Sequence, residues 1–217
     1  MNKILVGILS ATLFLAACED PAANKPKATT TNTNAAPANT STANAAPQQG
    51  ESLAINNENS KVSFTGSKVT GKHEGGFNKF TGTINLVNGK AEGSSVKVDI
   101  EANSIYTETP DLTKHLQTAD FFDVEKFPKA SFSSTSIVPD TGKGAGNYTV
   151  TGDFELHGVK KSITFPATIN VSDSEVTVNS EFSINRKDFG LLYAGKADDL
   201  IRDLVAIKLD LKAPRKK

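Results

Sequence analysis

The sequence predicts an all-β domain of about eight antiparallel strands with one short helical excursion, and three observations carry that reading. Apolar and polar residues alternate strictly over long runs, such as Tyr148, Val150, Gly152, Phe154 and Leu156 against Thr149, Thr151, Asp153, Glu155 and His157. A period of two sets one face of each run against a core and the other in water, which is the pattern of antiparallel sheet. Turn formers separate the runs at Asn88-Gly89, Asp140-Thr141-Gly142, His157-Gly158 and Ser172-Asp173-Ser174. The alternation breaks once, at Thr109-Pro110-Asp111, where an N-cap residue, a proline at the first helical position and an acid in the first turn announce a helix.

The chain opens with Lys3 and an apolar run from Ile4 to Phe14, followed by Leu15-Ala16-Ala17-Cys18. This run is too short for a membrane-spanning helix and has the form of a secretory signal peptide over residues 1–17. Cys18 is the single cysteine of the 217 residues, so no intramolecular disulfide can form. LAAC resembles the lipobox of bacterial lipoproteins, in which the cysteine is lipidated and becomes the mature N-terminus. The resemblance implies fatty acyl groups such as palmitate on Cys18, and two or more chains are what stable anchoring needs. It also implies a location in the cell envelope, lipid-anchored to a membrane on its periplasmic side or at the cell surface.

Residues 18–52 then read as a tether. From Glu19 to Gln49 the composition narrows to Ala, Thr, Asn, Pro and Lys, without an aromatic residue or an apolar period. Such a segment buries too little surface to offset its conformational entropy and is expected to be disordered. About 30 residues of flexible coil span roughly 30 Å. The folded domain occupies residues 53–213, enough for one core, and residues 214–217 close the chain as a basic, solvated tail with Arg215, Lys216 and Lys217. Lys+Arg and Asp+Glu both number 24, a net charge of zero that argues against nucleic acid as a partner.

Within the domain, candidate strands run over 61–70, 81–87, 96–101 and 130–138. They continue with the Tyr148–Leu156 run, then Ile163 to Val171, Val176 to Ile184 and Val205 to Leu211. One-sided strands of this number form either a sandwich or a barrel, and the pattern alone leaves both open. Runs of ten to twelve residues, roughly 33–40 Å long, suit tilted barrel strands. In the helical excursion Leu112 and Leu116 share a face, and Pro128 stops any helix before Phe132. The segment KHLQTADFFDVEKFPKASF, Lys114 to Phe132, is the densest aromatic stretch in the chain. It reads as a cover at the barrel wall or mouth.

Several segments in order resemble the YceI-like family of bacterial envelope proteins. They are HLQTADFFDVEKFPKASFSSTSI (His115–Ile137), YTVTGDFELHGVKKSITFPATI (Tyr148–Ile169) and FSINRKDFG (Phe182–Gly190), with VSFTGSKVTGKHEGGFNKFTGTI ahead of them. The resemblance implies an eight-stranded antiparallel lipocalin-like barrel whose interior takes an extended lipid of polyisoprenoid or isoprenoid-quinone type. It implies binding for carriage, storage or stress protection rather than catalysis. The lipobox and the segment LLYAGKADDLIR (Leu191–Arg202) depart from the family pattern, the latter as a lid-like loop.

The residues give this reading modest support of their own. Phe64, Phe132, Phe154, Phe165 and Phe182 fall on the apolar faces of their strands, and Phe121 and Phe122 end the helical excursion. Each suits solid core as well as cavity lining, while Gly152, Ala167 and Ser180 leave room on the inward faces. Arg186 reads as an ion-pair partner of Asp188 or as an anchor for an anionic headgroup. No nucleophile elbow is present. His73, His115 and His157 lie in different segments without metal-binding spacing, so no metal, cofactor or catalytic residue is expected. His115, Asp120, Asp123 and Glu125 are expected to hold turns. The second reading is a structural or stress-associated envelope module with a filled barrel, acting through its surface. Oligomeric state is not legible in the pattern.

Overall fold

The computed structural model describes residues 20–33 and 50–215. Its strands are β1 (Thr29–Asn32), β2 (Glu51–Asn56), β3 (Lys61–Lys68), β4 (Gly71–Phe77), β5 (Phe80–Val87), β6 (Lys90–Glu101) and β7 (Ile105–Thr107). After the helix α1 (Pro110–Gln117) come β8 (Lys129–Pro139), β9 (Asn147–Leu156), β10 (Val159–Val171) and β11 (Glu175–Asn185). The short pair β12 (Gly195–Lys196) and β13 (Asp199–Leu200) follows, then β14 (Leu204–Pro214). The main sheet is antiparallel and follows the order β2-β5-β6-β8-β9-β10-β11-β14-β3-β4-β7, with β1 added to β10.

The all-β antiparallel class with one short helix is as expected, but the sheet is a curled half-barrel rather than an eight-stranded barrel, and the count of eight strands is not met. The additional strands lie outside the alternating runs: β4 is glycine-rich and polar, β7 has three residues, β12 and β13 two each, and β1 and β2 fall in or beside the segment read as a tether. Only Asn78 and Lys79 separate β4 from β5, and the short turn 102–104 separates β6 from β7. Backbone bonds bridge the bend, from Asn78 N to Ser104 O and from Glu101 N to Lys79 O, both at 3.0 Å. Because β4 and β5 sit near opposite ends of the strand order yet adjoin in the chain, the sheet curls back around an interior. Two hairpin turns match their sequence signals: Asn88-Gly89 and His157-Gly158 both have positive φ at each position, as the tight primed turn requires.

A strand in the segment read as a tether is a correction. Residues 20–33 are docked, not free. The ladder between β10 and β11 covers only Thr168–Val171 against Val176–Asn179. Pro166 offers no N–H to continue it, and the Ser180 hydroxyl donates to the Pro166 carbonyl instead. The two strands part above that point, and the N-terminal segment enters the gap. Ala28 N donates to Ser183 O at 2.8 Å, Ser183 N donates to Pro26 O at 2.9 Å, and β1 pairs with Ser162–Thr164 and Lys161 of β10. Lys25 and Glu181 form an ion pair beside the seam. Ser183 and its cross-strand partner Ala206 face outward, opposite Phe182 and Val205, yet both are buried under this strap. Composition misses it because a strap needs only backbone bonds and small residues; Ala22 and Ala28 are its buried side chains. The signal segment, Cys18 and residues 34–49 lie outside the described residues.

The basic tail is also corrected at its first two positions, since Pro214 ends β14 and Arg215 is held. Arg215 is bonded to Glu51 through Nε and Nη2 at 2.9 Å and to the Ser172 carbonyl at 2.8 Å, which fastens β14 to β2.

Candidate functional site

The curled sheet encloses a cavity of about 390 Å3 whose walls are almost wholly apolar. The inward alternate residues of β5, β6, β8, β9, β10, β11 and β14 supply most of the wall, and α1 adds Leu112 and Leu116. All seven phenylalanines singled out in the sequence, Phe64, Phe121, Phe122, Phe132, Phe154, Phe165 and Phe182, line it. Five of them fall in two strings, one of which is bridged by Phe77. Phe132, Phe165 and Phe182 pack in sequence across one wall, the last two stacked with centroids 4.3 Å apart. Phe64, Phe77 and Phe122 do the same across another, with centroids 6.1 Å apart. Phe77 is a lining residue that the strand pattern does not single out, and Phe189 backs the wall from outside the lining. Phe189, fully buried, stands edge-on to Phe154 at 5.2 Å, and its signal is the FG step closing NRKDFG.

The small residues do not leave room as expected. A Cβ on Gly152 would lie 2.5 Å from the Phe132 ring, so the glycine makes space for that phenylalanine rather than for a ligand. Ala167 and Ser180 lie outside the cavity lining, beside the shallow surface pocket near Asp140 and Asn147.

One end of the cavity is closed by a lid of two segments. The first is α1 with the turns that follow it to Phe127. Thr109 is the N-cap by position, but its side chain makes no capping bond. The Thr113 hydroxyl instead receives the Thr107 N–H at 2.9 Å, tying the helix to β7. His115 Nε2 meets the Asp120 carboxylate at 2.8 Å, which holds the turn after the helix. Asp123 adopts positive φ, and its carbonyl takes the Lys126 and Phe127 N–H groups. Phe127 leaves the cavity and packs on the His157-Gly158 turn, 4.5 Å from the imidazole. The second segment is the loop from Leu191 to Arg202, pinned by β12 and β13. Three rings join the two segments: His115, Phe121 and Tyr193 lie 5.1 to 5.2 Å apart in pairs.

Arg186 fastens the second segment from below. Its Nε donates to Arg202 O at 3.0 Å, Nη1 to Leu191 O at 2.5 Å and Nη2 to Ile201 O at 3.3 Å. Burial pushes its pKa down and Asp203 opposes the shift, but a guanidinium stays charged throughout the physiological range. Its ion-pair neighbour is Asp203 at 3.7 Å, not Asp188. The donors aim at carbonyls of the loop, so the residue read as a headgroup anchor is committed to the lid.

Polar groups reach the lining at the lid end. Lys68 pairs with Asp199, and His73 Nδ1 meets Glu108 at 2.6 Å. At Glu108 burial raises the pKa, but the bond from His73 and the backbone N–H groups outweigh it and hold the carboxyl below its usual range. Among the described residues no three His, Cys, Asp or Glu are placed to hold a metal ion.

Comparison with known proteins agrees with this architecture. A UPF0312 protein of Pseudomonas putida is 36% identical over 123 residues, which is 54% of this chain and 62% of that protein. A UPF0312 protein of Pseudomonas fluorescens is 33% identical over 133 residues, 58% of this chain and 68% of that one. The match thus spans less than two thirds of the P. putida relative. Among solved structures, Burkholderia cenocepacia BcnA superposes with a TM-score of 0.65 at 26% identity, covering 73% of this chain and 99% of that one. A polyisoprenoid binding domain from Saccharophagus degradans shares the fold with a TM-score of 0.59 at 18% identity, over 76% and 99% of the two chains. Residues 53–213 match the YceI-like domain, and the chain belongs to that family.

Proposed function

We propose that this protein is a membrane-anchored envelope protein that holds an extended apolar lipid, of polyisoprenoid or isoprenoid-quinone type, inside its curled sheet. The observation that carries this reading is the continuous cavity of about 390 Å3 with phenylalanine-rich, nearly unbroken apolar walls. A ligand site of this kind falls in the range of roughly 300–1,000 Å3 with few polar groups, and here the charged ones, Lys68 and Arg186, and His73 lie at the lid end. A lipid with a polar head would place it near Lys68 and His73 and its chain along the two phenylalanine strings. Burial of about ten methylene groups gives roughly 8 kcal/mol before ordering costs, so affinity needs no catalytic group. The fold shared with a polyisoprenoid binding domain supports the same ligand class. Anchoring rests on the LAAC sequence and its lone cysteine.

The test is solvent extraction and mass spectrometry of full-length protein purified from membranes in mild detergent, beside an Ala130→Phe variant that narrows the cavity. A prenyl lipid carried by the native chain and reduced in the variant is expected. A native chain without such a lipid, and without uptake of added prenyl quinone, refutes the ligand. Cys18→Ser should release the protein from the membrane fraction, and a variant that stays bound refutes the anchor.

A further inference from the structure

We propose that the lid end of the sheet is a membrane-contact face, seated on the bilayer by Val69, Leu192 and Leu200. This rests on the anchoring read from Cys18 and adds an orientation to it. Five large apolar residues are exposed among the described residues, and three of them lie at this end: Val69 at 55%, Leu192 at 65% and Leu200 at 49%. Two are in direct backbone contact, since Val69 N donates to Leu200 O at 3.2 Å. Leu192 belongs to the same lid loop that carries the β12–β13 pair. Exposed apolar groups gathered at one tip mark an interaction surface rather than scattered surface residues.

The occupant is fixed by where the chain arrives. Asp20 accepts a hydrogen bond from Ser67 Oγ at 3.2 Å and lies 4.0 Å from the Arg202 guanidinium. Ser67 is two residues before Val69, and Arg202 is two residues after Leu200. Cys18 precedes Asp20 by two residues, so covalent geometry alone keeps it within about 7 Å of that point. An acyl anchor on Cys18 therefore leaves the protein beside this tip, and the strap along β10 and β11 prevents the domain from drifting off on a long leash. Charges at the tip largely cancel, Lys68 with Asp199 and Arg202 with Asp20, so apolar contact rather than charge sets the orientation. The lid of the cavity then faces the lipid from which a hydrophobic ligand would come.

The chain has no tryptophan, so a single introduced indole reports its own position. Full-length protein carrying Leu192→Trp is reconstituted in vesicles of phosphatidylethanolamine and phosphatidylglycerol containing brominated lipid. A Val138→Trp chain, altered at an exposed site near the opposite β8–β9 end, is the comparison. The expected result is a blue shift and at least twofold quenching for the Leu192→Trp chain, neither for the Val138→Trp chain, and no change between low and high salt. Flotation with an unquenched indole in the Leu192→Trp chain, or equal quenching in both chains, overturns this proposal and leaves the anchor standing. Loss of flotation overturns the anchor and the proposal together. A blue shift in the Leu192→Trp chain that develops without lipid and grows with protein concentration assigns the tip to a second copy and also overturns it.

Discussion

Replacing Arg186 with methionine should loosen the lid and cost about 3–4 kcal/mol of stability. Arg186 is 4% exposed and donates to three carbonyls at 3.0, 2.5 and 3.3 Å. A hydrogen bond from a charged donor contributes about 1.5–3 kcal/mol net, and an acceptor stranded in the interior costs a comparable amount. The two shorter bonds alone give about 3–6 kcal/mol, and the third is too long to add much. Methionine recovers part of this by sparing the desolvation of a buried charge, which brings the figure to the lower half. With a urea m-value of about 2 kcal/mol/M for a domain of this size, the midpoint should fall by about 1.5–2 M. Arg186→Lys should land between, because one ammonium reaches fewer of three carbonyls than a planar fork does. Hydrogen exchange adds position. The amides of Leu191, Ile201 and Arg202, bonded to Arg186 O, Ala194 O and Ser67 O, should lose protection while the β8–β9 ladder keeps its own. A loss below about 1 kcal/mol, or exchange that rises uniformly, would refute the view that Arg186 is the lid's fastener.

Phe121→Ala should cost about 3 kcal/mol by thermal or urea melting and speed the release of bound lipid, since Phe121 is buried between His115 and Tyr193. Phe122→Ala, half-buried, should cost less but still lower lipid content, and unchanged melting and lipid content in both would make the segment mere surface. Gly152→Ala should destabilise by about 1–3 kcal/mol, because its Cβ would press on the Phe132 ring at 2.5 Å and on Ser133 O at 2.6 Å; a neutral result in urea melts would show that the wall yields. Glu181 is held below its usual carboxyl range by Lys25 and Lys208, so its contribution to seating the strap is fully present above its ordinary value of 4.5 and lost as the pH falls through its lowered value. Exposed pairs contribute only about 0–1 kcal/mol. Strap protection should therefore decline modestly in acid, and Glu181→Gln should abolish that decline; an equal decline in both chains would locate the effect elsewhere.

Much of this fold is readable from alternation because each strand of the sheet has one dry face. Phe154 and Phe182 announce their inward direction through polar neighbours on both sides, Phe165 through its place in the Ile163–Val171 alternation, and the cavity wall follows. Alternation does not reveal every strand. β4, GKHEGGF, escapes notice because glycines and polar residues fill it and only His73 and Phe77 reach the cavity, so a count of alternating runs falls short of the count of strands. Nor does it separate a wall from a solid core, a question settled by how Phe132 leans over Gly152 and Phe165 stacks on Phe182. Arg186 stands out in the sequence as unusual but points to the wrong partner there, since Asp203 and two of the three carbonyls lie at the far end of a loop whose path no local pattern states. The strap escapes notice because backbone pairing at a seam asks almost nothing of side chains.

That seam also sets an order of events. The segment synthesised first can be seated only last, because its place does not exist until β10 and β11 have both formed and parted at Pro166. Thr29 must meet Thr164 across most of the chain, a closure that is entropically slow. In the interval the upper edge of β10 presents unpaired N–H and C=O groups, a ready template for any extended strand. A second copy's strap satisfies those groups as well as the chain's own, so crowded, half-matured molecules have a built-in route to exchanging arms.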